Sequence, residues 1–337
     1  MLNIENQVRA VSGITPKGVP AEILASTEPV LLKGIAAEWP IVQAARRSAF
    51  AALDYIRSYY TDATVGVFFG DPGIKGRIFY NEDLTGFNYQ AAKVKLNEVL
   101  DRLQEHMNDA NPPSFYMGST TVDTCLPGFR AENDIGFGDI DPLASVWLGN
   151  QTRIAAHFDV PDNLACCAAG HRRVTLFPPG ELKNLYVGPL DFTPAGQAIS
   201  MVDFHHPDFA KFPRFRDALK NAQVAELEPG DAIFIPAMWW HHIEALDGFN
   251  VLINYWWRQS PAFMDTPVAA LEHALLSLRD LPEIQRKAWH ELFKFYIFDF
   301  DEDAIAHIPA NRRGVLSTID EPAARKLRAQ LLNKLNR

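Results

Sequence analysis

His157 and Asp159 stand two apart in a stretch that reads as extended strand, with Phe158 between them. Alternate residues of a strand share a face, so the imidazole and the carboxylate would point into one cavity while Phe158 packs on the other side. Such triplets are common and say little alone. Their weight comes from a second cluster, Pro236-Ala237-Met238-Trp239-Trp240-His241-His242, which offers a further histidine from a distant strand. On spacing alone, either His241 or His242 serves. Two histidines and one carboxylate on one face of a non-haem iron leave positions open for an oxidant and a co-substrate. The same donors suit Zn2+ or Mn2+, so a hydrolase or isomerase, and a metal-binding sensor or small-ligand protein without oxygen chemistry, stand as alternatives.

The elements that must hold these residues are short strands. Glu228-Pro229-Gly230-Asp231 is a tight turn, and residues 232–235 form a strand that gives His241 a rigid platform. Strands are expected at 145–149, 153–158, 163–168, 172–177, 223–227, around 242–244 and at 250–257, with turn residues between them and no helices. That pattern indicates an antiparallel sandwich or barrel over 143–260. Residues 182–216, rich in proline and glycine, read as an ordered insert over its mouth. Residues 1–142 read as mixed α and β packed on the barrel, with loop over the first thirty or so, helices at 36–60 and about 88–106, and a strand at 64–69. From 261 to 337 the pattern is helical, and Trp289, Phe293, Tyr296, Ile297 and Phe298 leave more than one face apolar. A homodimer through these helices is expected.

Bulk properties narrow the classes. The 337-residue chain carries a formal charge of −9, which argues against nonspecific binding of nucleic acid or anionic membrane. No apolar run reaches the roughly 18 residues of a membrane span, and the N-terminus lacks the pattern of a secretory signal. Three cysteines, two of them adjacent at 166 and 167, make no disulfide framework. A reducing, cytoplasmic setting fits.

Taken together, Ala156-His157-Phe158-Asp159, Asn163-Leu164, residues 170–179, Leu185-Tyr186, residues 229–236 and Trp239-Trp240-His241-His242 resemble the cupin-like JmjC oxygenases. Within them the likeness is strongest to the asparaginyl hydroxylase branch that inhibits hypoxia-inducible factor. The resemblance implies a double-stranded β-helix of the cupin or jelly-roll type and an Fe(II)- and 2-oxoglutarate-dependent oxygenase that hydroxylates a side chain of a protein or peptide, with a small-molecule substrate as the alternative. It places His157, Asp159 and His241 on the iron ligands, and Asn163, Asn254, Trp256 and Tyr116 beside the metal and co-substrate. Two positions depart from the family. Arg172 replaces the lysine that pairs with the distal carboxylate of 2-oxoglutarate, and its planar fork suits a carboxylate equally. Ile154 replaces a threonine that contacts the co-substrate, and Thr152, two residues earlier, is expected to compensate.

Overall fold

The computed structural model describes residues 2–336. Its strands in chain order are β1 (Arg9–Ser12), β2 (Val30–Lys33), β3 (Thr64–Gly70), β4 (Arg77–Ile78), β5 (Gln90–Lys95), β6 (Ser114–Thr121), β7 (Leu143–Gly149), β8 (Arg153–Phe158), β9 (Asp162–Ala169), β10 (Arg172–Phe177), β11 (Gln223–Leu227), β12 (Ala232–Ile235), β13 (Trp240–Ala245) and β14 (Asn250–Trp257). They form a nine-stranded sheet, β1-β2-β12-β9-β14-β7-β6-β3-β5, and a five-stranded sheet, β11-β10-β13-β8-β4. The fold is mainly β, a double-stranded β-helix of the cupin type.

Strand alternation sorts the side chains into layers. On β9, Ala165 and Cys167 face the minor sheet and pack with Val174, Leu176, Ile233, Ile235 and Leu252 between the two sheets. Leu164, Cys166 and Ala168 face the other way, into the larger core under the N-terminal helices. Cys166 and Cys167 are therefore free thiols on opposite faces of one strand, both buried. Leu53, Ile56, Leu96 and Leu100 of the covering helices are fully buried in that larger core, each contributing about 1.5–3 kcal/mol. Outside the minor sheet a third cluster joins Phe177 and Trp240 to Phe204 and Phe215 of the insert and the short helix after it.

The N-terminal third continues the barrel's major sheet, to which it contributes β1, β2, β3, β5 and β6. The helical stretch expected at 36–60 is two helices, Pro40–Arg47 and Ala49–Ser58. Ser48 between them is extended, and its hydroxyl accepts from Ala51 N (3.0 Å). The helix expected at about 88–106 is a strand followed by a helix. Gln90–Lys95 pairs with β3 and only Leu96–Glu105 is helical. Sheet pairing at the free edge overrode helical spacing there, just as parallel pairing with β2 makes Arg9–Ser12 a strand where turn residues predicted loop.

The chain divides into two compact units, residues up to 258 and from 259 onward. The second unit contains helices Pro267–Ser277, Glu283–Phe293 and Glu321–Leu335. Thr266 caps the first and Asp320 the last, each side chain accepting a backbone N–H from the opening turn. No described helix is long and apolar enough to cross a membrane.

Candidate metal centre

Antiparallel pairing of β8 and β13 places His157 directly opposite His241. Their ring centroids lie 4.4 Å apart. Asp159 follows β8 immediately, with its Oδ2 3.7 Å from His241 Nε2. One ligand atom from each of the three residues lies within 4.8 Å of the other two. The tautomers follow from the partners. His157 Nδ1 sits 2.9 Å from the Ala155 carbonyl and His241 Nδ1 3.0 Å from the Trp239 carbonyl. A carbonyl only accepts, so each Nδ1 carries the proton and each Nε2 lone pair is left for a metal. Burial, reinforced by the neighbouring His157, pulls the His241 pKa down to about 4, which keeps the ring neutral, as ligation requires.

His242 takes no part. The strand period turns it to the other face of the minor sheet, where its ring centroid lies 4.6 Å from that of Phe204 and its Nε2 3.8 Å from Glu244.

The carboxylate is held from the major sheet. Asp159 Oδ2 accepts from Trp256 Nε1 and from Asn163 Nδ2, both at 3.1 Å. Asn163 Oδ1 in turn accepts from Asn254 Nδ2 at 2.8 Å. Trp256 and Asn163 are register partners on β14 and β9, so pairing of these two strands aims both donors at one oxygen. The backbone helps too. Met238 N donates to the Asp159 carbonyl (2.9 Å) from a turn where Met238 has φ 68°. That left-handed conformation costs a non-glycine residue roughly 1–2 kcal/mol, and it returns the chain to the strand bearing His241.

A cavity of about 220 Å3 opens beside these groups. Tyr116, Asn163, Arg172, Asn254 and Trp256 all line it with the three candidate ligands, as do Ser119, Trp147 and Ile154. Thr152 does not belong to this lining. It is buried just before β8, while Ile154, two residues further on, faces the cavity in its place. The compensating contact expected of Thr152 is therefore not what the chain builds, because the strand carries Ile154 inward beside His157.

Three buried polar atoms around the cavity have no hydrogen-bond partner: Arg172 Nε, Trp147 Nε1 and Asn254 Oδ1. Arg172 is 5% exposed, and burial lowers its pKa from the ordinary guanidinium value. Among the described residues no carboxylate pairs with it. A desolvated guanidinium without a counter-ion is costly to keep, and a bound carboxylate would relieve that cost. The residues present thus fit both a divalent metal and a small anionic co-substrate. Trp147 and Ser119 were not among the residues singled out from sequence. Trp147 sits on a strand expected from the sequence, whereas Ser119 lies on β6, for which no strand was expected at that residue, and nothing local marks an indole N–H that lacks a partner.

A barrel of two facing sheets with two histidines and one carboxylate on its inner wall is a cupin-type fold carrying a donor set that could hold a metal ion. The chain belongs to the cupin-like domain family, whose model matches residues 16–263. It is 34% identical over 170 residues to tRNA wybutosine-synthesizing protein 5 of Gallus gallus, covering 46% of this chain and 49% of the relative. With lysine-specific demethylase JMJ31 of Arabidopsis thaliana it shares 33% identity over 140 residues, 39% of this chain and 25% of the relative. With lysine-specific demethylase 8 of Xenopus tropicalis it shares 27% over 237 residues, 69% and 49%. The chain thus spans about a quarter to a half of the length of these relatives. They carry demethylase and tRNA-modification names, and the narrower likeness to the asparaginyl hydroxylase branch finds no support among them.

Proposed function

We propose that this protein is an Fe(II)- and 2-oxoglutarate-dependent oxygenase that hydroxylates a side chain of a protein substrate. The observation that carries this reading is the buried, unpaired Arg172 lining the same cavity as His157, Asp159 and His241. His157, Asp159 and His241 would hold the iron, and Arg172 would take the distal carboxylate of 2-oxoglutarate. When bound, the iron supplies activation of O2, one oxygen atom entering a substrate C–H bond and the other entering succinate as 2-oxoglutarate loses CO2. The remaining work belongs to the chain. The two Nδ1–H bonds fix the imidazoles, Trp256 and Asn163 fix Asp159, and Tyr116, Trp147 and Trp256 wall the cavity against bulk water.

The reading is tested by anaerobic addition of Fe(II) and 2-oxoglutarate, which should produce a visible charge-transfer band, and by succinate formation in air. His157→Ala should abolish both. A wild-type protein that binds Zn2+ or Mn2+ but gives neither band nor succinate would favour the hydrolase, isomerase or sensor alternatives.

The C-terminal unit is read as a homodimer interface. Within it Ile305 is the one buried large hydrophobic among the described residues, while Leu276, Ile284, Ile297 and Phe298 are each more than three-fifths exposed. Leu292→Arg should convert a dimer to a monomer in analytical ultracentrifugation. An unchanged sedimentation coefficient would remove this part of the reading. Three buried free thiols accord with a reducing cytoplasm.

A further inference from the structure

A second chamber, of about 190 Å3, adjoins the cavity at the metal centre and shares Tyr116, Ser119, Trp147, Ile154, His157 and Ala195 with it. A cavity of about 150 Å3 holds a benzene-sized molecule, so this chamber has room for one side chain. Its walls come from different sheets. Phe68, Tyr116 and Trp147 stand on β3, β6 and β7 of the major sheet. Ile78, Ile154 and Ala155 come from β4 and β8 of the minor sheet, and Pro194, Ala195 and Ile199 from the insert.

The aromatic residues do not surround a space. Phe68 and Tyr116 have centroids 6.1 Å apart at 41°, and Tyr116 and Trp147 5.8 Å apart at 35°, so they pack on one another as a row along one sheet. A cation lying on that row would face isoleucine, alanine and proline across the chamber. Apart from Asp159, which belongs to the metal group, no carboxylate lines either chamber among the described residues. An ammonium or guanidinium entering here would lose its water without gaining a counter-charge. An aliphatic or amide side chain loses little, and the Tyr116 hydroxyl remains to meet an amide, while Ser119 Oγ, which donates to Ser145 Oγ (3.2 Å), can still accept from one.

Resting on the oxygenase reading above, we infer that the group brought to the metal is an uncharged, largely aliphatic protein side chain, and that the chamber rejects methylated lysine and arginine. The insert residues Pro194 and Ala195 line the chamber and keep that wall apolar.

The test uses the full chain with Fe(II), 2-oxoglutarate and air. The probes are short Gly/Ser host peptides carrying one central guest, Leu, Val, Asn, Lys, trimethyl-Lys or Arg, with bulk tRNA as a separate arm. Leu, Val or Asn guests are expected to raise succinate release above the peptide-free background and to gain one oxygen by mass, with a preference of at least about tenfold over the cationic guests. In manganese-loaded, anaerobic protein the same order should appear in peptide affinity, a readout that requires no turnover. Ala195→Glu, which places a carboxylate in both chambers, should shift affinity towards the Lys and Arg guests relative to the Leu and Val guests. Oxygen gain or demethylation on a cationic guest, modification of tRNA, or no guest preference would overturn the inference. The charge-transfer band and background succinate keep the two readings apart. If both are present while the guest order is wrong, only the substrate inference falls, and if both are absent the oxygenase reading falls with it.

Discussion

Replacing Trp256 by phenylalanine isolates one hydrogen bond at the metal centre. The ring that meets Trp147 edge-on at 5.8 Å is largely kept, while the N–H that reaches Asp159 Oδ2 at 3.1 Å is lost. Asp159 retains the Asn163 donor at the same distance, so its orientation is loosened and not abolished. A hydrogen bond to a charged acceptor is worth about 1.5–3 kcal/mol, which at 1.36 kcal/mol per decade is roughly a tenfold to hundredfold change in affinity. Loss of a partner that orients a metal ligand independently gives about the same range. The variant should therefore bind Co2+ or Mn2+ some ten to a hundred times more weakly in calorimetric titration, with its thermal midpoint in the absence of metal moved by only a few degrees. The ring and its packing remain, so a general loss of structure is not expected. Metal affinity within twofold of wild type would refute the claim that the indole N–H positions Asp159. A collapse of the metal-free midpoint would instead assign Trp256 to core packing.

Three further outcomes follow from other parts of the barrel. Arg172→Leu removes a buried, unpaired cation, so the metal-free protein should be at least as stable as wild type in urea. Its 2-oxoglutarate affinity, read from the visible band, should fall by about thirtyfold or more, the equivalent of some 2 kcal/mol for a lost buried charge pair; unchanged affinity would place the anion elsewhere. His242 is neutral in the fold, its pKa lowered by burial to about 4, whereas in the unfolded chain it titrates near 6.5. The unfolded state therefore binds the proton first as pH falls, and stability drops below about 6.5 and continues to drop towards 4. At pH 5 the loss is about 2 kcal/mol, and His242→Gln should flatten the stability difference between pH 7 and pH 5 by that amount in urea melts; an unaltered slope would count against it. Gly76 has φ 76°, and a Cβ there would lie 2.1 Å from the Gln151 carbonyl oxygen. Gly76→Ala should cost more than about 2 kcal/mol in chemical denaturation, because the loop into β4 cannot move away from β8 without giving up the Arg153 N to Gly76 O bond; a neutral effect would show that it can.

What the sequence disclosed follows from the range over which each signal acts. The two-residue period of a strand is local, and it correctly put His157 and Asp159 on one face and separated Cys166 from Cys167. The same period turns His241 inward and His242 outward once the register of β13 against β8 is known, but register is a tertiary quantity, and composition left both histidines open. Local spacing gives residues 90–95 as helix because Ala92 and Val94 run on into the apolar stripe of Leu96, Val99, Leu100 and Leu103. Pairing with β3 settles it in favour of the two-residue alternation of Ala92, Val94 and Leu96.

The co-substrate pocket shows where local reasoning stops and why. Arg172 was recognisable as a cation in place of a lysine, since the substitution is written in the chain. That its Nε would be buried without a partner depends on three strands meeting, β10 between β11 and β13. Thr152 looked like a substitute for the missing threonine hydroxyl because it shares the parity of Ile154, yet it stands before the strand begins and stays outside the cavity lining. Parity tells which way a side chain faces, and position along the strand decides what it meets. The hydroxyl lost at 154 is therefore not replaced from β8. The unpartnered donors that remain, the Trp147 indole and the Arg172 guanidinium, come from opposite sheets, so an anion held by both would link the walls of the barrel and the metal-free protein should gain thermal stability from 2-oxoglutarate alone.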